Sequence, residues 1–243
     1  KKETPGAGPG GNRTSFKAGM SVMNDTLTAG LGSRVRTNMP VSSISRSGTH
    51  YTLHLAGGGS EEFDAVILAT PAWAQAAILN DLAPGISGLL REIEYPALSV
   101  VCLGYREQDA AGCMDGFGFL VPSRENRNIL GTVADSNVFP GRAPEGSVLY
   151  RTMVGGARSS HLAELPDEKL LDNVRSDLQD IMGLRADPEF VSIYRHEKAI
   201  PQYLVGHAAR LDAIEEQLNS LPGLMLPGNA FRGVSLNDCV VNA

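Results

Sequence analysis

The chain is 243 residues long, 42% hydrophobic and carries a net charge of −6, with an isoelectric point near 5.4. That is enough apolar material to bury a full core as one large domain or two lobes. The acidic balance argues against nucleic acid or an anionic membrane surface as the main partner, since both select basic faces, and no apolar run approaches the roughly 20 residues that span a bilayer. Cys102, Cys113 and Cys239 are an odd set with no Cys-x-x-Cys pair, so neither a disulfide framework nor a zinc site is indicated and a reducing setting is expected.

Residues 1–15 are polar and glycine-rich, with no apolar periodicity and no signal-peptide core, and read as an internal linker; the chain is therefore expected to be a fragment. Gly6-Ala7-Gly8-Pro9-Gly10-Gly11 spells G-x-G-x-x-G. A dinucleotide fingerprint needs a strand before it and a helix beginning within it. Residues 1–5 make no strand and Pro9 opposes a helix, so this match is rejected. Phe16-Lys17-Ala18-Gly19-Met20 then leads into a helix expected to be capped by Ser21, with Met23, Leu27 and Leu31 on one face and Gly32 as its stop.

Residues 35–37 and 41–45 read as short strands. Residues 49–55 alternate, with Tyr51, Leu53 and Leu55 on one face and His50, Thr52 and His54 on the other, as a half-buried strand should. The two histidines lie on a strand, so they lack the helical two-ligand spacing of a zinc protease and read as a solvated face. Residues 64–71 form a near-continuous apolar run closed by Ala69-Thr70-Pro71, which suggests a central parallel strand buried on both faces.

From residue 79 to 219 the texture changes to longer strands and two amphipathic helices. Strands are expected over 97–105, 117–121, 129–134, 148–155 and 190–195. One helix should run from 167 to 182, with Leu170, Leu171, Val174, Leu178, Ile181 and Met182 on one stripe and Gly183 at the stop, and another over 208–218. Mixed strands with helices on one side suggest an α+β lobe. Near the end, the apolar run 224–226 reads as a buried strand, Gly228 and Gly233 bracket a turn, and Asn237 or Asp238 can cap a following helix. An ordinary strand-to-helix turn of any α/β protein has the same spacing, but such a helix start also suits an electron-rich oxygen such as a flavin carbonyl. No hydrolytic elbow surrounds Ser235, and no acid pair or metal cluster stands out.

The tail, Gly228-Asn229, Gly233-Val234 and Asp238-Cys239, resembles the C-terminal flavin-binding motif of the protoporphyrinogen oxidases, a branch of the amine-oxidase-like FAD enzymes. Further matches run in family order: Phe16 to Met20, Val41-Ser42-Ser43-Ile44, the 64–71 strand ending in Ala-Thr, Gly116 to Pro122, Phe139 to Pro144, Val154-Gly155-Gly156, Ala199 to Tyr203, and Gly206-His207. Ser235 and Asn237 depart from the small residue and proline usual there, which bears on flavin tuning.

The resemblance implies an α/β fold with an α+β lobe: a partial FAD/NAD(P)-binding, Rossmann-like domain from 16–78 and 220–243, and a mixed-sheet substrate-binding domain from 79–219. It implies oxidation of protoporphyrinogen IX to protoporphyrin IX by six electrons passed through FAD to oxygen, in haem biosynthesis. Val41, Gly228, Val234, Ser235 and Leu236 would bind the cofactor, and Phe117, Gly118, Leu120, Val133 and Met153 would line the tetrapyrrole pocket; ordinary strand core is the other reading of those side chains. No residue is assigned a catalytic or metal-binding role.

The family's dinucleotide fingerprint, its ribose-binding acid and a propionate-binding arginine belong to an N-terminal part this sequence does not contain, so the missing part is an expected partner. FAD is expected to be absent from, or weakly held by, this fragment, and the fragment alone inactive. Oxidation of coproporphyrinogen III, another amine-oxidase-like flavin chemistry, and a non-catalytic structural fragment are the alternatives. The cytoplasm is the expected location, and the resemblance allows a peripheral seat of the full-length enzyme on its membrane.

Overall fold

The computed structural model describes residues 14–242; the G-x-G-x-x-G run and nearly all of the expected linker lie outside them. The chain divides into a unit of residues 1–37 and a unit of residues 38–243. In the first, helix α1 spans Ser21–Leu31. Ser21 is its first helical residue; the capping position belongs to Met20, without a side-chain hydrogen bond, while Gly32 closes the helix with φ 57° and an N–H bonded to Thr28 O. The Met23, Leu27 and Leu31 stripe is not buried within this unit, and Leu27 and Leu31 are exposed. The strand expected at 35–37 is absent: a 3-10 turn over Gly32–Arg34 leads into Val35, whose N–H bonds back to Gly32 O at 3.0 Å.

The second unit opens with an antiparallel meander of β1 (Val41–Ser47), β2 (His50–Leu55) and β3 (Ser60–Phe63). Alternation sets its faces. Tyr51 is fully buried and donates from its hydroxyl to Pro222 O at 3.0 Å, whereas His50 pairs with Asp64 at 3.0 Å and His54 lies 2.8 Å from Ser45 Oγ.

The expected parallel strand exists, but only as β4 (Val66–Ile67), paired with β10 (Leu224–Met225) in a two-stranded sheet. Val66, Leu68 and Leu224 are buried, while Ile67 is 61% and Met225 45% exposed. One face is covered and the other open, so burial on both faces is not met. Among the described residues β4 has one neighbour, β10. Pro71 then ends the run and opens α2 (Ala72–Ile78), followed by α3 (Pro84–Arg91). Helices α2 and α3 join Ile44, Tyr51 and β4 in a first core, and α7 (His207–Leu218) adds Leu211 and Ile214 to it. Helices α3 and α7 fall within the 79–219 stretch, yet their apolar side chains fill this first core.

The second core is built on a five-stranded sheet in the order β6-β7-β8-β5-β9, comprising β5 (Leu98–Arg106), β6 (Gly118–Leu120), β7 (Ile129–Ala134), β8 (Ser147–Gly155) and β9 (Phe190–His196). Every pairing is antiparallel, so the sheet is not mixed as expected; β8 and β9 run the same way on either side of β5, and the helical connection between them crosses over it. The short helix α4 (Asp135–Val138) follows β7, and α5 (Gly156–Ala163) and α6 (Asp167–Met182) follow β8.

Helix α6 buries the expected stripe at Leu170, Val174 and Leu178 and partly at Leu171 and Met182, whereas Ile181 is exposed. Leu170, Val174 and Leu178 share the second core with Val101, Leu103, Ile129, Tyr150 and Val154. Its one buried carboxylate, Asp177, accepts from the N–H groups of Asn128 and Ile129 at 2.7 and 3.2 Å and so fixes the start of β7. Gly183 stops the helix in the left-handed region.

Candidate functional site

The face of the five-stranded sheet away from this second core follows from alternation and register. Antiparallel partners directly opposite each other project to the same side. One row across the sheet is Leu120, Gly131, Met153, Val100 and Tyr194, and the next is Gly118, Val133, Arg151, Cys102 and Ser192. A third holds Leu149, Gly104 and Phe190. Thus Gly118, Leu120, Val133 and Met153, singled out in the sequence, stand on adjacent rows of one face, with Phe117 exposed immediately before β6. Leu120 is 81% exposed, Val133 and Met153 half-buried, and none of the three belongs to the buried core.

Two glycines let β6 and β7 approach closely on this face. A Cβ on Gly118 would lie 2.2 Å from Thr132 O, and one on Gly131 2.4 Å from Phe119 O, both at positive φ, so a side chain at either would force β6 off β7. At the end of β8, Gly155 is pinched between Ala97 O and Ala163 Cβ, which accounts physically for a glycine at that position. A cavity of about 470 Å³ opens at the far end of the face, lined by Leu149, Phe190, Pro144, Arg142 and Glu189 among others.

Polar groups on the face are few. Arg151 Nη2 donates to Asp135 Oδ1 at 2.9 Å. Burial raises the Cys102 thiol pKa, with the Arg151 charge pulling it down and Asp135 pushing it up. The thiol is therefore neutral near pH 7, and no nucleophile is prepared here.

The second group of sequence-derived residues is gathered at the end of the two-stranded parallel sheet, where both chains leave on the carboxyl side, the position at which open α/β sheets hold ligands. Gln75 ties the two exits together: its Nε2 lies 2.6 Å from Leu68 O, 2.8 Å from Thr70 O and 3.2 Å from Pro227 O, while the buried Oε1 has no protein partner. Gly228 follows, with φ 141° and only Thr70 O within 4 Å of a would-be Cβ.

The loop from 228 to 235 is held from outside. Tyr203 donates from its hydroxyl to Asn229 O at 2.7 Å and accepts from Gly233 N at 3.0 Å. Its ring stacks on His207 at 4.2 Å, and His207 Nε2 reaches Phe231 O at 3.3 Å. The loop ends in α8 (Leu236–Val241). Its cap is Ser235, not Asn237 or Asp238: Asp238 N donates to Ser235 Oγ at 3.1 Å and the Asp238 carboxylate accepts from Ser235 N, a capping box. Gly233 sits directly on Asp238, where a Cβ would come within 2.3 Å.

Gly228, Val234, Ser235 and Leu236 therefore form one continuous, pinned loop with Val234 and Leu236 exposed. Val41 is placed by the other sheet, at the start of β1 opposite Leu55 beside a bulge, and packs on the first core. The arrangement fits a flavin: a side-chain-free approach at Gly228, two exposed apolar side chains, and the N–H groups of Leu236 and Asn237, which begin a helix and have no intrahelical acceptor. Sequence reasoning assigned no role to Gln75, Tyr203, Arg151 or Asp135. For Gln75 a signal existed, as the one polar residue in Ala-Trp-Ala-Gln-Ala-Ala-Ile. Among the described residues no group of three or more His, Cys, Asp or Glu side chains could hold a metal, and no helix is long and apolar enough to cross a membrane.

The chain belongs to the flavin-containing amine oxidoreductase family, whose model matches residues 6–243. Within that family it is similar to the chloroplastic protoporphyrinogen oxidase of Nicotiana tabacum, at 31% identity over 94% of this chain and 44% of the relative. It is equally similar to the coproporphyrinogen III oxidase of Bacillus subtilis (strain 168), at 31% identity over 98% of this chain and 53% of the relative. A crystal structure from Exiguobacterium sp. 255-15, provisionally named a protoporphyrinogen oxidase, superposes with a TM-score of 0.81 at 30% identity, covering 93% of this chain and 49% of that one. The resemblance read from the motifs is the one these relatives carry. The chain spans about half the length of the relatives it matches.

Proposed function

We propose that this chain is the substrate-facing part of an FAD-dependent porphyrinogen oxidase, and that it works together with an N-terminal portion of the same protein. The observation that carries this reading is the convergence of Leu120, Val133 and Met153 on one flat, partly exposed sheet face that the second core does not use. A macrocycle needs apolar surface above and below it more than it needs acids or bases. Three free cysteines suit a reducing cytoplasm as the place of action.

When bound, FAD supplies the two-electron acceptor for each dehydrogenation of the porphyrinogen. The protein's part is holding and excluding. Gly118 and Gly131 let β6 lie close against β7, so Leu120, Val133 and Met153 offer the ring an even floor that keeps water from one side. The loop from Gly228 to Leu236 would bear on the cofactor through backbone, with the Leu236 and Asn237 N–H groups available to an electron-rich oxygen. Val41 would reach the adenine side through its own backbone.

The named relatives act on two porphyrinogens, so both are tested. The FAD-loaded full-length protein is incubated in air with protoporphyrinogen IX or coproporphyrinogen III, and the rise of porphyrin fluorescence is followed against the spontaneous rate. Enzyme-dependent porphyrin formation from at least one substrate is expected. A rate equal to the blank with both would overturn the reading, and oxidation of simple amines in its place would assign the site to another branch of the family.

A further inference from the structure

Arg151 stands in the middle row of the open face, between Val133 on β7 and Cys102 on β5, both half-buried. Leu120, Met153, Val100 and Tyr194 make up the row on one side of it, and Leu149 and Phe190 the row on the other. A guanidinium has five N–H donors in a planar fork. Here the one acceptor among the described residues is Asp135, through Nη2 at 2.9 Å. The two partners are unequal: the Asp135 side chain is 17% exposed and that of Arg151 47%, so the acid is tucked at the start of α4 and the cation stands above the apolar floor.

An ion pair whose cation is half exposed contributes little to stability. Its place in the fold is therefore poorly explained by folding alone. A fixed cation with unused donors in the centre of an apolar face is suited to a ligand that is flat and apolar but carries an anionic arm. The fork geometry favours a carboxylate over a neutral hydrogen-bonding group.

We propose that Arg151 is a carboxylate anchor for the ring bound on this face. Asp135 holds one edge of the guanidinium and leaves the others for a propionate arm. The assignment rests on the tetrapyrrole reading above and deepens it by naming the group that holds an arm of the ring: coproporphyrinogen III carries four propionates and protoporphyrinogen IX two, so either substrate supplies the carboxylate.

The test is binding of coproporphyrin III and of its uncharged tetramethyl ester to the FAD-loaded full-length protein, as wild type, Arg151→Lys and Arg151→Gln, followed by quenching of porphyrin fluorescence. Flavin content and unfolding midpoint are measured alongside to establish that each variant is folded. Arg151→Gln should weaken binding of the acid roughly tenfold or more and leave the ester unchanged, while Arg151→Lys, which keeps the charge and loses the fork, recovers part of the loss. If the wild type binds and Arg151→Gln weakens acid and ester equally, or neither, the anchor is overturned while the tetrapyrrole site stands. If the wild type binds neither compound, the tetrapyrrole reading falls and the anchor with it.

Discussion

A single hydroxyl, that of Tyr203, holds two points of the tail loop, accepting from Gly233 N and donating to Asn229 O. Tyr203→Phe removes both bonds, worth about 1 kcal/mol each, and keeps the ring stacked on His207. In the full-length protein the expected result is FAD binding weakened several-fold, up to roughly tenfold, with the thermal midpoint lowered by no more than a few degrees. Unchanged FAD affinity would show that the loop does not need this support. The motifs Ala199 to His207 and Gly228 to Cys239 were both legible in the sequence, but not the contact that joins them. That contact spans 26 and 30 residues, a separation no helix or strand period encodes. The cap of α8 was legible and misplaced: Ser235 and Asp238 have the Ser-x-x-acid spacing of a capping box, yet Asn237 and Asp238 drew attention as capping residues in their own right.

At the scale of elements, β8 divides its side chains cleanly between two environments. Thr152 and Val154 are buried towards α6, while Arg151 and Met153 project to the open face. This yields a paired prediction. Leu178→Ala, in the fully buried stripe of α6, should cost about 2–5 kcal/mol of stability through a cavity and leave KM unchanged in the folded fraction. Met153→Ala in the full-length protein should cost far less stability and raise KM for the porphyrinogen, because a few methylenes of contact at about 0.8 kcal/mol each are lost from the substrate. Denaturant titration combined with steady-state kinetics checks both. A large stability loss at Met153 with unchanged KM would return it, and with it Leu120 and Val133, to ordinary packing.

The elements themselves were largely legible. Helix α6 and strand β7 match their sequence patterns, and β5, β8 and β9 differ from theirs at the ends only. What failed did so for want of a neighbour. Among the described residues Val35 to Thr37 has strand-forming residues but joins no ladder, and the apolar run at 64–71 is paired at two residues, with β10. Composition cannot report how many strands lie alongside. Nor could the alternating patterns say whether the larger sheet was mixed, since direction depends on connections; the register then revealed which face Leu120, Val133 and Met153 share.

The whole molecule carries a pinned loop at the end of a short parallel sheet and an open apolar face on a second, antiparallel sheet, in a chain that spans about half of its relatives. Under the proposed function, a porphyrinogen on that face delivers electrons to a flavin on that loop. The most direct measurement is an anaerobic titration: the FAD-loaded full-length protein is mixed with protoporphyrinogen IX or coproporphyrinogen III in the absence of oxygen, and the yellow flavin absorption is followed together with porphyrin fluorescence. The account predicts that the flavin band bleaches as porphyrin appears, and that admission of oxygen restores it. A flavin that stays oxidised in the presence of both porphyrinogens, while a chemical reductant bleaches it, would contradict the account.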